Sequence, residues 1–78
     1  MKIKPLNRIK AVLAEENKTN KWLAEILGKN VTTVSRWCTN ENQPALETLI
    51  EIAKALNIDV RELIASTNTV TIVKSIDK

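Results

Sequence analysis

Only one glycine and two prolines interrupt 78 residues, and between them apolar side chains recur three and four positions apart. So few breakers at a helical period predict an all-α bundle. The glycine, Gly28, constrains the chain most, because it falls between two short periodic stretches and permits a tight turn there. Before it, Leu23, Ala24 and Leu27 share one helix face; after it, Val34, Trp37 and Cys38 do so at i, i+3 and i+4.

Local signals divide the rest of the chain into five helices. A first helix is expected to start at Pro5, whose fixed φ suits the first turn, to bury Leu6, Ile9, Val12 and Leu13, and to end at Asn17 in the left-handed conformation. Thr19 offers an N-cap for the second helix and Gly28 its stop. Asn30 caps a third, Val31 to about Cys38, whose other face carries Thr32, Ser35, Arg36 and Thr39. A fourth follows Pro44 with a weak cap at Ala45, with Leu46, Leu49, Ile50 and Ala53 inward and Asn57 as its end. Asp59 with Glu62 predicts a short fifth helix, Val60 to about Ala65. Residues 1–66 thus read as one domain and 67–78 as a C-terminal tail, extended or disordered. Thr69 to Val73 are all β-branched and favour a strand, which must pair with Lys2-Ile3-Lys4, pair with another copy of itself, or remain a mobile tail.

Composition narrows the functional classes. With no His and one Cys, the chain has no zinc cluster, internal disulfide or His-based triad, and no metal or cofactor is expected. A chain this short could build a paired-carboxylate cleft only at the expense of its core, so an enzyme is not expected. The longest apolar run, Ala11–Ala14, is far short of the ~20 residues of a membrane span, and the lone Cys agrees with a reducing cytoplasm. Charge is uneven: eight basic and three acidic groups give residues 1–40 a net +5, while four basic and six acidic groups give residues 41–78 a net −2. An asymmetry of this size hints at a polyanion.

Two short helices joined by a Gly-containing turn, the second exposing an Arg and small polar side chains, form the unit that lays a helix in a DNA major groove. Ala24 is small where the helices cross, and Val34 with Trp37 anchors the second so that its outer face projects. Thr19–Gly28, Thr32–Trp37, Gln43–Leu49 and Ile52–Ile64, at unbroken spacing, resemble the Cro and phage-repressor type helix-turn-helix regulators, the XRE family, over Leu6 to Ile64. The resemblance implies five helices, a recognition role for the third, and usually a dimer on a two-fold symmetric operator. Carried over by position, it implies that Val31, Thr32, Ser35 and Arg36 meet base edges. Asn20 and Thr39 or Asn40 would hold phosphates, with Lys21 and Lys29 as further backbone contacts and Asn30 at the start of the recognition helix. The chemistry suits those roles: Arg can fork onto guanine O6 and N7, and the methyls of Val31 and Thr32 can meet a thymine methyl.

Several positions depart from the family's pattern. Many members carry Arg where Leu13 stands and Glu where Cys38 stands, a buried ion pair here replaced by two uncharged residues that should pack close together. Lys18 and Lys29 occupy usually apolar sites, and Trp22 with Ile26 forms an apolar i, i+4 pair where polar residues are common. That strip keeps an alternative open, a protein-interaction module using Trp22, Ile26 or the tail, with residues 69–74 folding back over the strip or crossing to a partner. Without the turn motif Thr32, Ser35 and Arg36 would read as a solvated helix face, and with it base contact is favoured; Lys21 and Lys29 read equally as phosphate contacts or as solvated charges. Trp37 reads as core rather than a stacking residue. Cys38, inward and without a second Cys, is not expected to sense redox state.

Overall fold

The computed structural model describes residues 5–66; the tail, 67–78, and any pairing with Lys2, Ile3 and Lys4 lie outside them. Among the described residues there are four α-helices, α1 (Ile9–Glu15), α2 (Asn20–Leu27), α3 (Val31–Cys38) and α4 (Leu46–Leu56), followed by a 3-10 turn at Val60–Leu63. The expected fifth α-helix is thus a single tighter turn. Asp59 caps it by accepting a hydrogen bond from the Arg61 amide, and Ile64 leaves it in an extended conformation. The Arg61 side chain and amide, bonded to Asp59, hold its carboxyl below the ordinary carboxylate value. The capping charge therefore persists on acidification until the pH falls through that depressed value.

Reversals of the chain fall on residues suited to the left-handed region. Gly28 (φ 67°) ends α2, and Asn17, Asn40 and Asn57 take φ of 60°, 64° and 58°. A Cβ at Gly28 would meet nothing within 4 Å, so only the backbone angle favours glycine there. Thr19 accepts from the Trp22 amide at 3.0 Å, and Asn30 from the Thr32 amide at 2.9 Å. Ala45 gives α4 no side-chain cap. Each cap contributes about 1 kcal/mol, against about 1.5–3 kcal/mol for each fully buried aliphatic side chain. Caps set where the helices end; the core decides that they form.

That core gathers Ile9, Val12 and Leu13 of α1, Leu23 and Ala24 of α2, Val34, Trp37 and Cys38 of α3, Ile52, Ala53 and Leu56 of α4, and Leu63 of the turn. Leu13 and Cys38, expected to pack close together, are both in it. Two expectations are corrected. Helix α1 starts at Ile9 rather than Pro5, and Leu6 is exposed. Its carbonyl accepts from the Ala65 amide at 2.9 Å while the Arg8 amide donates to Leu63 at 2.8 Å, which pairs this stretch antiparallel to residues 63–65 and keeps it out of the helix. In α4, Leu46 and Ile50 are 67% and 40% exposed, and the buried set is Ile52, Ala53 and Leu56, with Leu49 partly covered. Both sets follow i, i+3, i+4 spacing, and packing against α2 and the 3-10 turn selects the second.

Candidate nucleic-acid interface

Helix α3 has two unlike faces. Val34 and Trp37 are buried at 0% and 5% exposure, clamping the helix against the core, while Val31, Thr32 and Arg36 are exposed and Ser35 is half-buried. The Gly28 turn sets α2 directly against α3, with Leu23 and Ala24 of α2 buried in the core that both helices share. The outer face therefore projects from a rigid support, as an element that enters a groove requires.

The Arg36 guanidinium stands 3.9 Å from Glu41, both side chains more than half exposed. A loose surface pair of this kind is worth under about 1 kcal/mol, so a bidentate acceptor can displace it. Thr39, exposed, turns its hydroxyl back to donate to the Arg36 carbonyl at 3.2 Å. Lys21, in the first turn of α2, and Lys29, in the turn between α2 and α3, are both exposed. Asn30 uses its side-chain oxygen as the α3 cap.

Two candidate residues have partners that sequence spacing does not reveal. Asn20 is half-buried and its Oδ1 accepts a hydrogen bond from Cys38 Sγ at 3.3 Å. Asn40 holds the N-terminal segment: its Oδ1 accepts from the Leu6 and Asn7 amides at 2.8 and 2.9 Å and from Gln43 Nε2 at 3.1 Å, and its Nδ2 donates to the Asn7 carbonyl. The buried Asn7 side chain extends the network by donating to the Trp37 carbonyl and to Gln43 Oε1 and by accepting from the Ile9 amide. Asn7 and Gln43 are absent from the sequence-based set. The available signal was Asn7 itself, a better starting residue for a helix than Pro5, and Asn40 just past a helix end, where left-handed Asn is favoured.

The carboxamide of Asn40 thus fixes the chain leaving α3 and is largely spent inside the protein. Replacing it by Gly keeps the left-handed backbone and removes only the side-chain bonds. Asn40→Gly is expected to lose about 1–2 kcal/mol of stability in a denaturant titration; an unchanged midpoint would mean the network contributes nothing.

Around the apolar strip on α2, Trp22 is partly buried against the core, and Lys18 Nζ lies 4.9 Å from its ring centre, a cation–π contact. Ile26 is 55% exposed and, with Leu27, Glu51, Lys54 and Ala55, lines a shallow open groove between α2 and α4. Burial raises the Cys38 thiol above its ordinary value, with Lys10 opposing. Among the described residues no cluster of His, Cys, Asp and Glu is arranged to hold a metal ion, and no helix is long and apolar enough to cross a membrane.

Comparison with known proteins agrees with this geometry. The family model HTH_3, helix-turn-helix, matches residues 9–63. Among solved structures, the crystal structure of a candidate DNA-binding protein from Bacteroides fragilis is similar at 57% identity and a TM-score of 0.76, over 77% of this chain and 97% of that one. No curated protein matches the chain.

Proposed function

The chain belongs to the XRE-type helix-turn-helix family, and from that premise we propose that it is a sequence-specific regulator of transcription that binds double-stranded DNA as a homodimer. Each subunit lays α3 in one of two successive major grooves about 34 Å apart on a two-fold symmetric operator. Bound there, the dimer acts as a repressor or controller by occupying DNA near a promoter. The DNA-binding unit is residues 1–66, and the setting is the cytoplasm.

The observation that carries this proposal is the division of α3, with Val34 and Trp37 buried while Val31, Thr32 and Arg36 stand exposed. Arg36 forks onto guanine, Thr32 and Ser35 reach base edges, and Val31 meets a thymine methyl. Asn20, Lys21, Lys29 and Thr39 take phosphates, and Asn30 and Asn40 hold the two ends of the helix in place. A single domain makes few contacts, and pairing two half-sites supplies the affinity that one lacks. The alternative of a protein-docking module on Trp22 and Ile26 draws less support, because Trp22 is packed on the core and covered by Lys18.

Titration of a mixed-sequence duplex over a salt series tests the electrostatic half of the proposal. The logarithm of the affinity should fall linearly with that of salt, by about 0.9 per phosphate neutralised. Binding that is absent or indifferent to salt would count against it.

A further inference from the structure

Cys38 is the last residue of α3 and Asn20 the first of α2, and they meet through the one hydrogen bond between their side chains, Sγ to Asn20 Oδ1 at 3.3 Å. Here the thiol donates and the carboxamide oxygen accepts, which sets the Asn20 amide with its oxygen inward and its nitrogen outward. The nitrogen has no hydrogen-bond partner among the described residues. Since no fully buried side-chain nitrogen or oxygen among them lacks a partner, Asn20 Nδ2 is at least partly reached by solvent.

We propose that Cys38 is a positioning residue for DNA binding: by engaging Asn20 Oδ1 it turns the amide so that only its N–H groups face outward, toward a phosphate. The opposite orientation would present a carbonyl oxygen to an anion and repel it. The inference deepens the DNA-binding proposal and rests on it. Two properties of Cys38 suit the role. At 8% exposure, water competes little for the weak S–H donor. Desolvation also keeps the sulfur protonated, since it raises the thiol more than Lys10 lowers it. The Thr19 hydroxyl already serves the Trp22 amide, so the Asn20 amide is a separate donor beside the first turn of α2, where backbone N–H groups add to the attraction for an anion.

The test uses the full chain and a mixed-sequence DNA duplex, titrated at several salt concentrations, with thermal melts to show that each variant is folded. Cys38→Ala should weaken binding roughly fivefold at every salt concentration and leave the salt slope unchanged, because a neutral amide releases no counterion. Cys38→Ser keeps a donor and should restore the affinity. Asn20→Ala should match Cys38→Ala, and the double variant should lose no more than Asn20→Ala alone. A folded Cys38→Ala with the parent affinity, or a Cys38→Ser as weak as Cys38→Ala, would overturn the positioning role and leave DNA binding standing. Failure of the unmodified chain to bind the duplex would overturn DNA binding and this role together.

Discussion

Cys38→Glu is expected to cost about 3–5 kcal/mol of folding stability at neutral pH, because it leaves a carboxylate buried without a partner. Cys38 is 8% exposed within the core that also holds Leu13, at 2% exposure, where many relatives would carry the matching Arg. Lys10 lies near enough to lower the thiol, so it would offset part of the penalty, but its flexible, hydrated ammonium does not replace a buried fork. A domain of about 60 residues has only about 5 kcal/mol in hand, so the variant should be largely unfolded at 37 °C. Burial would raise the new carboxyl above its unfolded value of about 4.3. The deficit is then full above the raised value and disappears once the pH falls below the unfolded value, where the group is neutral in both states. Adding Leu13→Arg should recover much of the loss, and thermal melts of the two single variants and the double one measure it. An unchanged melting temperature for Cys38→Glu alone would show that this position is not enclosed as described.

Arg36→Ala should act on recognition and not on folding. Among the described residues its one charged partner is Glu41, at 3.9 Å across an exposed surface, so stability should move by less than about 0.5 kcal/mol. Loss of a bidentate contact to guanine should weaken operator binding by about 1–3 kcal/mol, roughly 5- to 150-fold, and relax the preference at one position of each half-site. Lys21→Ala provides the contrast. It should weaken binding to all duplexes alike and make the salt slope shallower by about 0.9 per site, whereas Arg36→Ala should leave nonspecific affinity nearly intact. Equal losses on operator and mixed-sequence DNA for Arg36→Ala would assign the residue to the phosphates.

Those contrasts follow from features largely legible in the sequence. Thr19, Gly28, Asn30 and Asn57 end or begin helices through bonds and angles local to a few residues, and each does in the structure what its type favours. The outward set on α3 was legible for the same reason, since one helix face follows once Val34 and Trp37 are inward. What was not legible depends on distant partners. Leu46, Leu49, Ile50 and Ala53 repeat with the same spacing as Leu49, Ile52, Ala53 and Leu56, so periodicity has no means of choosing between two faces that share Leu49 and Ala53. Pro5 reads as a helix start until residues 63–65 pair with Leu6 and Arg8. Position along the chain assigns Asn20 and Asn40 to phosphates, yet their side chains meet Cys38, 18 residues away, and the Leu6 and Asn7 amides, 34 and 33 away. A polar side chain at a helix end can serve the ligand, the fold or both, and only the packed structure shows which of its atoms are already engaged.

The most direct test of the central claim is selection of bound duplexes from a random DNA pool by the full chain. The proposed function predicts enrichment of a two-fold symmetric site whose half-sites are about 10 base pairs apart, centre to centre, each with a guanine whose selection disappears in Arg36→Ala. A pool that emerges without a shared motif, while the protein is folded and in excess, would contradict it.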